Sequence, residues 1–405
     1  MEQAGQVRVV KAEDVAVMGL TEILRHIPRI YGSYRKLVAS IRRERPDVAV
    51  LIDFPDVNFR LAKHLRRAGV PVVWFVSPQL WAWKRGRLRW VQERVDKMLV
   101  IFPFEESFYR ERGVDAEFVG HPLAATLLPS TTREAYAALH RLDPAKTWIG
   151  LLPGSRWKEI RGNLPTMHEL AMSDLITSSA AYTTFDGDTT VQPADPAAHT
   201  RYEFLLPVAS TIDADALQLY IGELNAEHLK YFGPEASSLR LTLVPDAPEA
   251  LFHARASVVA SGTATVLAAI VGNPFLVVYR VSALTFALAK KLIEYPEELA
   301  GIVDEAGNLP VAMVNLIAGR RVVPELLQER FTAANVATEL GRLLVEGPER
   351  EAQIAALTEV RIKLLAPNSN DRSLGESPVG RVADVVLTLL EQPPAVSIQS
   401  RRTIV

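Results

Sequence analysis

Short apolar runs recur along this chain, and stretches with helical spacing of their apolar positions separate them. The runs lie at 48–52, 72–76, 98–101, 116–119, 148–152, 204–208, 239–244, 257–260 and 275–279. Most are rich in valine, isoleucine and leucine without polar alternation. Strands apolar on both faces and set between helices predict buried parallel sheets, hence an α/β fold. The segment 122–147 carries no strong strand and includes Pro129-Ser130-Thr131-Thr132. It places a hinge between two doubly wound, Rossmann-like domains, 1–145 and 146–365. Residues 366–392 predict a C-terminal helix packing back on the first domain. Residues 173–201 are rich in Ser, Thr, Ala and Asp without periodicity, and predict a surface insertion. Residues 393–405, after Pro393-Pro394, predict a frayed tail.

A length of 405 residues suits about two domains. With 48% hydrophobic and 23% charged residues, the composition is that of a globular protein. A net charge of -2 argues against a general nucleic-acid binder. The chain has no cysteine, which excludes disulfides, thiolate metal sites and cysteine nucleophiles, and suits a reducing cytoplasm. The start shows no signal-peptide pattern, and no apolar run approaches the roughly 20 residues of a spanning helix.

Candidate chemistry sits where apolar runs end. In open α/β sheets ligands bind beyond the carboxyl ends of strands. Asp53, closing the first run in Ile52-Asp53-Phe54-Pro55-Asp56-Val57-Asn58, stands where a catalytic base would stand, with Ser77 and Gln79 at the end of the next run. Further on, Pro153-Gly154-Ser155-Arg156 links a strand to a helix. Gly154 permits close backbone approach, the helix start offers free N–H groups to an anion, and Arg156 adds a bidentate donor for phosphate. An ordinary βα turn with a surface arginine reads the same way. A second turn, Ser261-Gly262-Thr263-Ala264-Thr265, repeats the pattern, and the two could grip one nucleotide from neighbouring strand ends; capping by Ser261 or Thr263 is the plainer alternative. Asn315, Arg320, Glu325 and Gln328 could bind sugar hydroxyls, a uracil edge or diphosphate, or else belong to a solvated helix and its cap. Trp81, Trp83 and Trp90 interleave with Lys84, Arg85, Arg87 and Arg89, a combination suited to anionic lipid head groups as well as to a helix packed on its sheet. The basic amphipathic stretch 18–45 has the same two readings. Asp186-Gly187-Asp188 has the form of a metal motif but follows no strand, His121 ends a strand as a lone histidine, and no serine lies in a GxSxG elbow.

Taken in order, several segments resemble the lipid-A-disaccharide synthases. They are Ala16-Val17-Met18-Gly19-Leu20, the Asp53 segment, Val76-Ser77-Pro78-Gln79-Leu80-Trp81-Ala82-Trp83, Phe102-Pro103-Phe104-Glu105, Phe118-Val119-Gly120-His121-Pro122, Leu151-Leu152-Pro153-Gly154-Ser155-Arg156, Ala260-Ser261-Gly262-Thr263-Ala264-Thr265 and Asn315-Leu316-Ile317-Ala318-Gly319-Arg320. The resemblance implies a GT-B glycosyltransferase fold. It implies transfer of diacylglucosamine from UDP-2,3-diacylglucosamine to 2,3-diacylglucosamine 1-phosphate (lipid X), with inversion and without a metal or other cofactor. It places the enzyme in the cytoplasm, peripheral on the inner membrane of a Gram-negative bacterium. It maps the family's essential aspartate onto Asp53, its phosphate-side arginine onto Arg156 and its amide onto Asn315. The acceptor and membrane side would hold Ser77, Gln79, Trp81, Trp83 and Arg85. Gly154, Ser155, Arg156, Ser261, Gly262, Thr263, Asn315, Arg320, Glu325 and Gln328 would serve the nucleotide sugar. Oligomeric state stays open, a homo-oligomer included.

Three departures stand against that pattern. The family's opening βα unit, with its Gly-Glu-x-Ser-Gly-Asp turn, is expected to be missing before Met1. Leu267 stands where the family carries glutamate, and the insertion at 173–201 interrupts the second domain. Two other readings remain at this level: another UDP-sugar transferase or epimerase of the same architecture, or an inactive truncated copy that only binds lipid or nucleotide.

Overall fold

The computed structural model describes residues 20–125, 128–172, 202–232, 241–282, 309–365 and 377–391, with isolated positions 5, 7–10, 286–287 and 293. The expected insertion at 173–201, the tail at 393–405 and Asp186-Gly187-Asp188 lie outside the described residues. The chain divides into two compact units, Met1–Pro122 with Ala366–Val405, and Leu123–Leu365.

The first unit runs α1 (Leu20–Glu44), β1 (Ala49–Ile52), α2 (Pro55–Arg67), β2 (Val72–Phe75), α3 (Leu88–Arg94), β3 (Lys97–Val100), α4 (Pro103–Arg110) and β4 (Ala116–Phe118). Its four strands are parallel and lie in the order β1-β2-β3-β4. Each crossover therefore steps in one direction, the arrangement of one wing of a doubly wound sheet. β2 is buried at every position, and Trp74 at its centre packs on Phe59 of α2 with ring centroids 4.8 Å apart. Asp96 ties the amino ends of this layer together: its carboxylate accepts from the Val72 amide at 2.8 Å and from Arg66 at 2.6 Å. Strand β1, at the edge of the sheet among the described residues, behaves differently. Leu51 faces the core, while Val50 and Ile52 on its other face are exposed.

The second unit begins before the expected boundary at 145/146. Its first helix, α5 (Arg133–His140), buries Tyr136 and Ala137 against Trp148, Leu205, Val244 and Ala250, and Arg133 lies 3.6 Å over the Trp148 ring. That apolar contact fixes α5 to this unit. There follow β5 (Thr147–Leu152), α6 (Trp157–Met172), β6 (Tyr202–Pro207), α7 (Ala214–Phe232), β7 (Leu241–Val244), α8 (Ala247–His253), β8 (Ala256–Ala260), α9 (Thr263–Val271), β9 (Phe275–Tyr279), α10 (Met313–Ala318), β10 (Glu325–Leu327), α11 (Ala333–Leu344) and α12 (Pro348–Leu364). The sheet is parallel throughout, in the order β10-β9-β8-β5-β6-β7. From β5 the chain builds outward to β7, then returns to β8 on the other flank of β5 and builds outward again. The strand order thus reverses between β5 and β8, the switch point where sheets of this kind bind ligands. α6 and α11 cover one face around Leu164, Met167, Val336 and Leu340. β10 is the strand the apolar pattern misses. It is three residues long and opens on a glutamate, although all three positions are buried.

The helix α13 (Pro378–Glu391) belongs to the first unit, where Arg381, Asp384 and Val385 share a groove with Lys97, Asp115 and Glu117 at the start of β3 and β4.

A strand edge unpaired among the described residues, with apolar side chains beside it, is a template for pairing with another chain. Ile52→Lys should lower concentration-dependent light scattering of this chain while leaving its melting temperature within about 2 °C, since exposed substitutions rarely cost more than about 0.5 kcal/mol. Unchanged scattering would show that β1 does not drive association.

Candidate functional site

In the first unit, the β1–α2 turn presents Asp53. Asp53 and Phe54 both adopt left-handed backbone, with φ of 46° and 43°. Two consecutive non-glycine residues in that region are strained by roughly 1–2 kcal/mol each. The turn is held from both sides. The Asp53 amide donates to Phe75 O at 3.0 Å, extending the ladder to β2. The Asn58 side-chain amide donates to Ile52 O at 3.0 Å and Asp53 O at 2.7 Å. Pro55 opens α2 directly afterwards, where its fixed φ and missing N–H fit a first helical position. The Asp53 side chain is left exposed beyond the end of its strand. Val76, just past the end of β2, repeats the left-handed geometry at φ 64°.

The segment after β2 is pinned by a residue the sequence reading did not single out as a site residue. Glu105, 1% exposed, accepts hydrogen bonds from Ser77 Oγ at 2.8 Å, Trp81 Nε1 at 3.0 Å and the Phe102 amide at 3.2 Å. Tyr109 adds a bond from its hydroxyl to Pro78 O at 2.6 Å. Ser77 and Trp81 are consequently buried, the packed one of the two readings of this segment. Gln79 and Trp83 remain exposed; the Lys84 ammonium lies 4.0 Å over the Trp83 ring. Arg85 is half-buried, with Nη2 donating to Trp81 O at 3.4 Å. Trp90 is half-buried against Phe59 and Arg94. His121 is buried beside Phe102, and burial pushes its imidazole down to about 4.

In the second unit, the two glycine turns meet at the switch point. β5 and β8 are neighbours with Leu152 opposite Val259, so Pro153-Gly154-Ser155-Arg156 and Ser261-Gly262-Thr263 leave adjacent strand ends. Gly154 has φ 129° and Gly262 has φ 149°, both unfavourable for a side chain. Helix α9 starts at Thr263 with Gly262 at its cap and no capping side chain. Ser261 and Thr263 therefore do not cap it; Ser261 Oγ instead donates to Val311 O at 3.4 Å. Around the first turn, Asn163 holds Pro153 O at 2.8 Å and Thr211 holds Ser155 O at 2.6 Å. Arg156, more than half exposed, pairs with Glu159 at 2.9 Å. Thr211 and Glu159 carried no sequence signal, because neither belongs to a motif and their contacts depend on side-chain direction. Leu267 lies on the second turn of α9, half-buried.

Asn315, Glu325 and Gln328 are buried and bonded within the protein. Asn315 is fully buried; its Nδ2 donates to Val323 O and Glu325 Oε1, and its Oδ1 accepts from the Val322 and Val323 amides. Glu325 accepts from the Val311 and Ala312 amides where α10 begins, and from Arg321. Gln328 clasps the backbone of Val281 at both ends, accepting at 2.8 Å and donating at 3.0 Å. These residues build the segment that carries Val311, the acceptor of the Ser261 hydroxyl. Arg320 stands apart, in an exposed pair with Glu359 at 2.9 Å.

Burial raises the Glu105 carboxyl from its ordinary 4.5 to about 7, against the lowering effect of the bonds from Ser77, Trp81 and Phe102. The folded protein therefore keeps a proton that the unfolded chain loses across that interval. Stability is highest below it and falls as pH rises through it. Relative to Glu105→Gln, which cannot titrate, the wild-type melting temperature should decline between about pH 4.5 and pH 7 and run parallel above. Parallel melting curves across that interval would show that Glu105 does not carry the proton.

A family model described as lipid-A-disaccharide synthetase matches residues 1–182 and 217–373. A lipid-A-disaccharide synthase of Acidobacterium capsulatum is 48% identical over 400 residues, covering 98% of this chain and 88% of that protein. One from Koribacter versatilis is 44% identical over 392 residues, covering 97% and 89%. Among solved structures, the glycotransferase of kitacinnamycin superposes with a TM-score of 0.51 at 13% identity over 96% of this chain and 87% of that one, a likeness of fold. On a GT-B scaffold of two parallel α/β units, with the family's motifs in order and relatives this similar along nearly its whole length, the chain belongs to the lipid-A-disaccharide synthase family.

Proposed function

We propose that this chain is a glycosyltransferase of lipid A disaccharide synthesis, condensing UDP-2,3-diacylglucosamine with 2,3-diacylglucosamine 1-phosphate (lipid X) to give the β-1,6-linked lipid A disaccharide 1-phosphate and UDP. The observation that carries the reading is the pair of glycine turns side by side where the strand order of the second unit reverses. Two helix starts and an arginine converge there, the donor set a nucleotide diphosphate needs. Family membership supplies the lipid substrates.

In this mechanism the acceptor 6-hydroxyl oxygen bonds to the anomeric carbon of the donor sugar. Its proton passes to the Asp53 carboxylate. The bond from that carbon to the diphosphate oxygen breaks, and its electrons leave on UDP with inversion at the carbon. The left-handed turn that projects Asp53, clamped by Asn58, supports the role of a positioned base. Arg156 and the opening amides of α6 and α9 offset the charge developing on UDP, as preorganised donors do where charge appears. In this reading the diphosphate is held by these groups rather than by a metal. Asn315, Glu325 and Gln328 act as positioning residues for the segment behind Ser261.

No helix among the described residues is long and apolar enough to cross a membrane. The lipid substrates are met by peripheral docking at the inner-membrane surface. Exposed Trp83 with Lys84 over its ring, and the basic end of α1 at Arg42 and Arg43, support that reading.

Asp53→Asn should lower kcat by about 10²–10⁴-fold with UDP affinity unchanged, the usual contribution of a general base. Arg156→Gln should instead raise the KM for the UDP-sugar. Assays of UDP release with lipid acceptor check both, and near-normal turnover in Asp53→Asn would exclude it as the base. For docking, Trp83→Ala should reduce sedimentation with anionic liposomes severalfold, whereas equal binding would remove Trp83 from the membrane face.

A further inference from the structure

The two turns at the switch point differ in one respect. At Gly262 no described heavy atom lies within 4 Å of where a Cβ would stand, so the space beside the second turn is open. At Gly154 the same position is filled: a Cβ would fall 2.5 Å from Glu159 Cβ and 2.6 Å from its Oε2. The close approach that Gly154 permits is thus taken by the protein's own carboxylate. Glu159 reaches back from the first turn of α6 with both oxygens engaged. Oε2 accepts from the Ser155 amide at 2.9 Å, and Oε1 accepts from Arg156 Nη1 at 2.9 Å. These are the backbone N–H just before a 16-residue helix and the arginine beside it, the donors an anion would be expected to use.

We infer that the Glu159 carboxylate is a displaceable internal stand-in for the donor diphosphate, occupying its donors when the site is empty and reclaiming them as UDP departs. The inference rests on the nucleotide reading of this turn. The single Ser155 N–H cannot serve two anions fully, and the Glu159 carboxylate repels a second anion beside it, so the diphosphate binds by turning Glu159 away. The exchange is cheap. Arg156 and Glu159 are 57% and 32% exposed, and an ion pair that open to water is weak and screened by salt. A diphosphate brings more charge and more acceptor oxygens than a carboxylate. It wins the donors while it is bound, and Glu159 lowers the cost of losing it. Arg156 therefore never needs to find its orientation from solvent; it passes from one anion to another. Glu159 acts as a tuning residue that weakens the hold on product.

The test is UDP binding by calorimetry at low and high salt, using the full chain. Glu159→Gln should bind UDP about threefold to tenfold more tightly than wild type at low salt, with the gain shrinking as salt rises. UDP should inhibit its turnover correspondingly more strongly. A tightening cannot come from structural damage, which would weaken binding. Glu159→Ala carries the same expectation if the glutamine variant does not fold. Arg156→Gln, measured alongside, should weaken UDP binding. If Arg156→Gln weakens it while both Glu159 variants bind as wild type or more weakly, the stand-in role is overturned and the nucleotide site stands. If Arg156→Gln binds UDP as wild type, the nucleotide reading of this turn falls, and the inference with it.

Discussion

Right-handed crossovers oblige a parallel sheet that grows both ways from one strand to send its connections to opposite faces. In the second unit that strand is β5. The helix after β5 lies on one face and the helix after β8 on the other, while the strands themselves are neighbours. The consequence is a place where two chain turns leave the sheet together and nothing in the sheet covers them. Everything else in this unit serves that geometry. The cores on either face set the planes of the helices, and the glycines let backbone rather than side chain approach whatever lies between.

The turns themselves depend on buried polar side chains more than on the apolar core. Asn58 holds the turn of Asp53, Glu105 the segment from Ser77 to Trp81, and Asn163 the carbonyl of Pro153. Asn315 and Glu325 hold the segment bearing Val311. Each replaces backbone pairing where a strand has ended and a helix has not begun. A hydrogen bond of this kind contributes only about 1 kcal/mol net, but an orphaned buried partner costs about 1–3 kcal/mol. The polar residues around the site are therefore specific in position while adding little to stability.

The strands were legible because parallel strands buried on both faces must be apolar along their length, as Val72-Val73-Trp74-Phe75 shows. β10 escaped because Glu325 reads as solvated until its carboxylate is seen receiving the amides of Val311 and Ala312. The same blindness left both readings of the Ser77 to Trp81 segment open. A tryptophan in a basic segment looks interfacial, and only the position of Glu105 reveals that its indole is spoken for. Glycine turns after strands were legible from spacing, and so was Asp53 from its place at a strand end. What they touch was not, because contacts such as Glu159 on Ser155 depend on rotamers that sequence spacing does not encode. The early start of the second unit was hidden for a similar reason: α5 lies in the segment read as a hinge, and its allegiance is set by Trp148.

The left-handed backbone at Asp53 sets stability and chemistry against each other at a single position. Glycine would relax that φ outright, and asparagine enters the left-handed region more readily than aspartate's neighbours in size. Either exchange would favour a more robust fold, and either would discard the carboxylate. A laboratory selection for heat resistance alone would thus be drawn toward replacing this residue early, and the variants it enriched would be sturdier proteins without the carboxylate proposed as the base.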